Sequence, residues 1–193
     1  LAGLLKRLTP NFRHTLDGNE QFADIATFRS QWDQHRMNPE LKDFLGDEHL
    51  IFVEQPLHRD RALGDPVGAE LANWPDAPPI VIDESDGTIG SLPRALELGY
   101  SGTSHKNCKG VFKGVANACL IAARRKSTGN DQLTISGEDL ANIGPVALLQ
   151  DLAVMAALGI DHVERNGHHY FAGLSLFPGA VQTAAHAAHG DLY

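Results

Sequence analysis

The chain has 193 residues, 42% of them hydrophobic, and carries a net charge of −8 from 16 basic and 24 acidic residues. This composition predicts a globular protein with a substantial core, although a complete eight-stranded barrel takes ~250 residues. The acidic balance argues against nucleic acid or an anionic membrane as the main partner, because both require clustered positive charge.

The cysteines predict a reducing compartment, and the hydropathy pattern predicts no membrane span. Cys108 and Cys119 have no zinc-site spacing and form no disulfide framework, so we expect a cytoplasmic protein. No apolar run approaches the ~18 residues that a membrane span requires. The sequence begins at Leu1 rather than at a methionine, and we therefore expect it to be part of a larger fold.

Short apolar runs alternate along the chain with segments of helical periodicity. Short β-favouring runs predict strands, whereas apolar residues three or four positions apart predict helices. The predicted strands cover residues 12–16, 49–53, 80–82, 100–105, 133–135 and 160–163. The predicted helices cover residues 2–8, 22–32, 61–74, 91–98, 110–126, 144–158 and 176–188, with a short helix near 41–45. Strands and helices that alternate with short connections predict an α/β fold, in which a parallel sheet has helices outside it.

Three helices carry more specific signals. Pro10 is predicted to end the first helix, and Ser91 is a candidate N-cap of the helix over 91–98. The helix over 110–126 has one apolar stripe, which is the pattern of an amphipathic helix. The stripe consists of Phe112, Val115, Ala116, Cys119, Leu120 and Ala123.

Charged residues end four consecutive predicted strands. Asp17, Glu54 and Asp83 end or follow the first three strands, and Lys106 follows the fourth. Because parallel strands end at the same edge of a sheet, we expect three carboxylates and one amine to converge there. Taken singly, each acid could equally be a helix N-cap or a turn residue. Together, crowded carboxylates repel each other unless a cation binds, and hard oxygen ligands suit Mg²⁺.

Lys106 is the candidate base at this edge. A lysine on a loop is most often simply exposed, but beside a divalent cation its pKa should fall, which makes it a usable base near neutral pH. Glu84, next to the third carboxylate, could hydrogen-bond Lys106 and orient it. His105 should face away from the site, because adjacent residues of a strand point in opposite directions.

Further acids follow the fifth and sixth predicted strands. Glu138 and Glu164 would face the same edge of the sheet as the first three carboxylates. Either one could contact a substrate or make structural hydrogen bonds, and the sequence leaves both interpretations open.

The ordered set of strand-end motifs resembles a known family. Asp17-x-Asn19, Glu54-Gln55-Pro56, Asp83-Glu84-Ser85 and Lys106 resemble the barrel domain of the enolase superfamily, in particular its mandelate-racemase and muconate-lactonising branch. The resemblance covers essentially the whole chain, from the third barrel strand to the eighth. It implies that residues 1–193 are the C-terminal part of a (β/α) TIM-type barrel of about six βα units. The capping domain and the first barrel strands would precede Leu1.

The resemblance also implies a reaction and roles for the residues. Asp17, Glu54 and Asp83 would bind Mg²⁺, and Lys106 would act as the acid/base. The enzyme would be a lyase or isomerase that removes the α-proton of a small-molecule carboxylate to give a metal-stabilised enolate. The outcome would be dehydration, racemisation or epimerisation, or cycloisomerisation. We also expect a homo-oligomer. The residues that could support the ligands or bind the substrate are Asn19, Glu84, Glu138 and Glu164.

Departures from the family pattern keep alternatives open. The family's Lys-x-Lys pair is not found in these residues, and its histidine–aspartate dyad is not evident, because Lys106 occupies the sixth-strand position. The long interval after Asp17 fits a methylaspartate ammonia-lyase-like enzyme. A catalytically inactive barrel fragment could instead serve as a binding or oligomerisation module. A third alternative is a metal-dependent barrel hydrolase in which Asp83 or Glu84 activates water.

Overall fold

The computed structural model describes residues 2–9 and 11–192. Pro10, which was predicted to end the first helix, lies outside these residues. The strands are β1 (His14–Asp17), β2 (Leu50–Glu54), β3 (Ile80–Ile82), β4 (Gly102–His105), β5 (Thr134–Glu138) and β6 (Val163–Glu164). The α-helices are α1 (Ala2–Leu8), α2 (Ile25–Met37), α3 (Pro39–Lys42), α4 (Arg59–Ala62), α5 (Asp65–Ala72), α6 (Ser91–Leu98), α7 (Val111–Thr128), α8 (Ala147–Leu158), α9 (Gly167–Tyr170) and α10 (Gly179–His189).

The strands follow chain order in the sheet, from β1 to β6. The pairs β1–β2, β2–β3, β3–β4 and β5–β6 are parallel. Parallel pairs need crossover connections, and at least one helix lies between the strands of each of these pairs. The predicted fold class is therefore confirmed: the chain is an α/β protein with the strand–helix order of an incomplete TIM-type barrel.

The chain forms two compact units. The first consists of Leu1–Ser104 and Leu120–Thr134, and the second of His105–Cys119 and Ile135–Tyr193. The core of the first unit is rich in aromatic rings: Phe28 packs edge-on against Trp74, with ring centroids 5.8 Å apart. The core of the second unit includes Ile135, Met155 and Ile160.

Several boundaries differ from the predicted ones for local reasons. The single helix predicted over 61–74 is two helices, α4 and α5, because Pro66 occupies the first turn of α5 and so begins a new helix. Gly90, not Ser91, is the N-cap of α6; the Ser91 hydroxyl instead accepts a hydrogen bond from the Thr88 amide at 3.1 Å. The short helix α9 was not predicted.

Helix α7 buries a different face from its apolar stripe. Phe112 is 91% exposed, and Val115 and Cys119 are also exposed, whereas Asn117 and Ile121 are buried. The apolar spacing therefore identified a helix correctly but did not identify its buried face. Both cysteines are free. No helix among the described residues is both long enough and apolar enough to cross a membrane.

Candidate functional site

Two buried carboxylates lie at the ends of neighbouring strands of the first unit. Glu54 is the last residue of β2, and Asp83 follows directly after β3. Glu54 is 7% exposed and Asp83 is 3% exposed, and each offers a carboxylate oxygen within 4.8 Å of the other's. Two buried carboxylates at this distance repel each other strongly unless a proton or a cation is shared between them. Oxygen donors in this arrangement could hold a metal ion, and the identity of that ion as Mg²⁺ stays a prediction.

Asp17 ends β1 and is the register partner of Glu54 in the parallel pair β1–β2. Its side chain is exposed, and its two oxygens accept hydrogen bonds from the Asn19 amide at 2.8 Å and from Asn19 Nδ2 at 3.0 Å. The Asp-x-Asn motif thus forms a turn that is closed by hydrogen bonds from Asn19 to the Asp17 carboxylate. The role of Asp17 as a metal ligand stays a prediction.

The loop after β1 packs closely against the loop after β2. The Gly18 amide donates to the Glu54 carbonyl at 2.8 Å, and a Cβ at Gly18 would lie only 2.5 Å from Pro56 Cα. Arg59 Nε and Nη2 donate to the two carboxylate oxygens of Glu20 at 2.9 and 2.6 Å. These hydrogen bonds to Arg59 lower the pKa of Glu20 to about 2. The first two strand ends therefore carry loops that are bonded to one another.

Gln55 is the residue of this region that sequence reasoning missed. It lies within the Glu-Gln-Pro motif, in which the sequence predicts a role only for Glu54. Its side-chain oxygen accepts a hydrogen bond from the backbone amide of Asp83 at 2.7 Å. The sequence feature that could have indicated this role is an uncharged amide directly after the strand-end acid Glu54. In the structure Gln55 is buried, and a buried amide requires hydrogen-bond partners.

Lys106 follows β4 and is almost buried. In the second unit its Nζ lies 2.5 Å from Glu138 Oε2, with the two side chains only 11% and 13% exposed. Asn166 Nδ2 donates to the other Glu138 oxygen at 3.3 Å. The structure thus identifies an ion-pair partner for Lys106 that the sequence did not suggest. The predicted bond from Glu84 to Lys106 stays a prediction.

His105, the residue before Lys106, is buried within the protein. This agrees with the expectation that adjacent residues of a strand point in opposite directions. Its ring is buried, and Nε2 lies 3.0 Å from Asn107 Oδ1. A Cβ at Gly114 of α7 would lie 2.4 Å from the ring. The glycine therefore provides the space in which the imidazole packs.

The ends of β5 and β6 are organised by Asp139. This carboxylate is 1% exposed and accepts hydrogen bonds from the Ala141 amide at 2.9 Å, the Asn166 amide at 3.0 Å and Arg165 Nε at 3.2 Å. Leu140 and Ala141 have φ of +48° and +61°, a conformation that is unfavourable for residues with a Cβ. The buried carboxylate holds that turn in place.

A cavity of about 210 Å³ adjoins this turn in the second unit. Its lining includes Asp139, Asn142, Arg165 and Phe171, and so combines polar and apolar groups. Glu164, predicted to support ligands or substrate, is exposed at the end of β6, and its carbonyl accepts from the Asp139 amide at 3.1 Å. The role of Glu164 in supporting the ligands or binding a substrate stays a prediction.

Comparisons with known proteins support the fold. No family model matches the chain, and no curated protein matches it. A solved structure similar to the chain is the mandelate racemase/muconate lactonizing enzyme from Roseiflexus sp., with a TM-score of 0.59 and 17% sequence identity. The match covers 88% of this chain but 43% of that protein, so the chain spans less than half of its length. At this identity the likeness shows a shared barrel-type fold and leaves the reaction open.

Proposed function

We propose that the protein is a magnesium-dependent enzyme that removes the α-proton of a carboxylate substrate. The observation that carries this proposal is the pair of buried carboxylates, Glu54 and Asp83, at the ends of β2 and β3. Reaction outcomes compatible with it are dehydration, racemisation or epimerisation, and cycloisomerisation. The enolase-superfamily resemblance of the motifs agrees with the solved structure whose fold this chain shares.

Glu54 and Asp83 would hold the metal ion. Asp17, at the end of β1, is a further candidate ligand, because it is the register partner of Glu54 in the parallel pair β1–β2. When bound, the cation would supply positive charge that stabilises the enolate formed by proton removal.

Lys106 is the proposed base. The ordered strand-end motifs support this role, because the family that they resemble uses a lysine or histidine base. Its burial excludes water from the amine, and the carboxylate of Glu138 fixes the position of Nζ.

A second candidate function is metal binding without proton removal. The observation that favours it is the same ion pair, because Glu138 engages Lys106 in a contact that would also serve a purely structural role. The two functions differ in whether Lys106 exchanges a proton with a substrate.

Solvent exchange of an α-proton distinguishes them. The chain would be incubated in D₂O with Mg²⁺ and with mandelate or another carboxylate from a panel that carries an α-proton, and exchange would be followed by ¹H NMR. We expect exchange with the wild type, loss of exchange to the solvent background with Lys106→Ala, and wild-type exchange with the exposed control Lys126→Ala. Equal exchange in wild type and Lys106→Ala would contradict Lys106 as the base. Metal binding with no exchange across the panel would favour the second function.

A further inference from the structure

We propose that the side-chain amide of Gln55 is the positioning group of the metal site, and that metal affinity depends on it. This inference rests on the proposed function, because it assigns Gln55 a role toward the cation that Glu54 and Asp83 would hold. Gln55 itself is not assigned as a ligand. It would act through the position of Asp83.

The Gln55 amide uses its full hydrogen-bonding capacity. Its oxygen accepts from the backbone amides of Asp83 at 2.7 Å and Ser85 at 3.2 Å. Its nitrogen donates to the Leu57 carbonyl at 2.7 Å and to the Ser85 hydroxyl at 2.8 Å. A primary amide offers two donor hydrogens and two acceptor lone pairs, and all four are used here. Since two partners are backbone amides and one is a carbonyl, only one orientation of the side-chain amide satisfies them all.

The backbone of Gln55 extends this network to the neighbouring loops. Its amide donates to the Val81 carbonyl at 2.9 Å, and its carbonyl accepts from the Glu20 amide at 2.8 Å. Its φ of +30° is unusual for a residue with a Cβ, and such a conformation persists only where surrounding contacts determine it. Gln55 thus bonds to the segments that follow β1 and β3 as well as to its own loop.

This network determines where the Asp83 carboxylate lies. Asp83 is the first residue after β3, at a point where the strand hydrogen bonds no longer fix the chain. Beyond the end of β3, the Gln55 oxygen fixes the backbone by accepting hydrogen bonds from the amides of Asp83 and Ser85. These residues lie 28 and 30 positions away in sequence. Glu54 is covalently adjacent to Gln55. One buried side chain therefore couples the positions of both carboxylates.

A neutral amide suits this position better than a charged group. A glutamate at residue 55 would match the shape but would lose both donor hydrogens and would add a third negative charge beside Glu54 and Asp83. An apolar side chain of the same length would leave the Asp83 and Ser85 amides without their acceptor in a buried region. Glutamine supplies two donors and two acceptor lone pairs in one group of this length without adding charge.

The test compares metal affinity with stability. Gln55→Met keeps the length of the side chain and removes the amide, and we expect the Mn²⁺ dissociation constant to rise about 10- to 100-fold, as for other groups that orient metal ligands. Tyr100→Phe is the matched control: it removes a buried hydrogen bond of the same unit, from the Tyr100 hydroxyl to the Ala62 carbonyl at 2.7 Å. We expect this control to lower Tm while its Mn²⁺ dissociation constant stays at the wild-type value. Wild-type Mn²⁺ affinity in Gln55→Met would overturn the inference.

Amide hydrogen exchange without metal supplies a second readout. In Gln55→Met we expect faster exchange at the backbone amides of Asp83 and Ser85. If the wild type binds no Mn²⁺, the proposed function fails, and with it the dependence of metal affinity on Gln55. Faster exchange would then support only a role of Gln55 in fixing the backbone at Asp83 and Ser85, and unchanged protection would overturn that role too.

A milder variant covers the case in which Gln55→Met does not fold. Ser85→Ala removes only one of the four side-chain hydrogen bonds, from Gln55 Nε2 to the Ser85 hydroxyl. We expect a rise of roughly threefold in the Mn²⁺ dissociation constant, in line with the loss of one neutral hydrogen bond. An unchanged constant in this variant would count against the inference.

Discussion

The strand ends of the two units are held by different kinds of buried group. In the first unit the organising group is the neutral Gln55 amide, which both donates and accepts hydrogen bonds. In the second unit it is the Asp139 carboxylate, which only accepts, from two backbone amides and from Arg165. Both groups are 1% exposed, so each must be satisfied by protein partners.

The difference follows the charges nearby. A carboxylate can organise a turn where a guanidinium compensates it, as Arg165 does for Asp139. Where Glu54 and Asp83 already place two carboxylates together, another negative charge would be unfavourable, and an amide does the same work without it. Under the proposed function a cation would bind at Glu54 and Asp83 in the first unit, whereas Arg165 forms the ion pair with Asp139 in the second unit.

Removal of the Asp139 carboxylate should give a large loss of stability. We expect Asp139→Ala to lower the free energy of unfolding by about 2–4 kcal/mol, because three partly buried donors lose their acceptor and the turn at Leu140 and Ala141 loses its support. Urea denaturation followed by circular dichroism would measure it. The exposed Asp161→Ala should change stability by less than about 0.5 kcal/mol. Similar losses of unfolding free energy in the two variants would contradict the structural role of the Asp139 carboxylate.

A side chain at Gly18 should separate the first two strand-end loops. The added Cβ in Gly18→Ala would lie 2.5 Å from Pro56 Cα, so backbone must move, and we expect a loss of about 1–3 kcal/mol. Gly87→Ala is a suitable control, since an added Cβ there meets no atom within 4 Å among the described residues. Thermal unfolding of the two variants tests the prediction, and an equal Tm would show that these loops do not need their close contact.

The ion pair of Glu20 with Arg59 should contribute less, and in a pH-dependent way. Because the pKa of Glu20 falls from 4.5 unfolded to about 2 folded, its stabilisation is present above pH 4.5 and is lost as the pH falls toward 2. Arg59 is about half exposed, so solvent screens the pair, and we expect only a small stabilisation at pH 7.

Urea denaturation of Glu20→Gln and the wild type at pH 7, 3 and 2 tests this contribution. The difference in unfolding free energy should shrink along this series. Glu48→Gln, on an exposed side chain, is the control and should show no such trend. A Glu20 difference that is constant from pH 7 to pH 2 would contradict the assigned cause.

The smallest expected effect is at Phe112 on α7. Because this ring is almost fully exposed, Phe112→Ser should change stability by less than about 0.5 kcal/mol. Ile121→Ala, on the buried face of the same helix, should cost about 2–4 kcal/mol. Chemical denaturation of the two variants tests which face of α7 is buried. A larger loss of unfolding free energy in Phe112→Ser than in Ile121→Ala would indicate that the apolar stripe is the buried face.

The fold was predictable because it depends on local periodicity. Apolar runs of three to five residues and helical spacing locate most strands and helices within a few residues, and their alternation implies the parallel order. The stripe on α7 shows the limit of this reasoning: spacing reports a helix, but burial is decided by the neighbours that a helix meets. For α7 those include the His105 ring, which packs where Gly114 leaves room.

The site was predictable in part. Strand-end positions suggested Glu54, Asp83 and Lys106, and all three are buried. The groups that hold them were not predictable, since Gln55 and Asp83 are 28 residues apart in sequence and no periodicity links them. For the same reason Glu138, which pairs with Lys106, could be named only as a general candidate.

A titration with Mg²⁺ by isothermal calorimetry tests the central claim most directly. We predict that the wild-type chain binds a divalent cation, that Glu54→Gln and Asp83→Asn each weaken the affinity by at least about tenfold, and that Glu48→Gln leaves it unchanged. Binding of equal strength in the wild type and in both carboxylate variants would contradict the claim that Glu54 and Asp83 form the metal site.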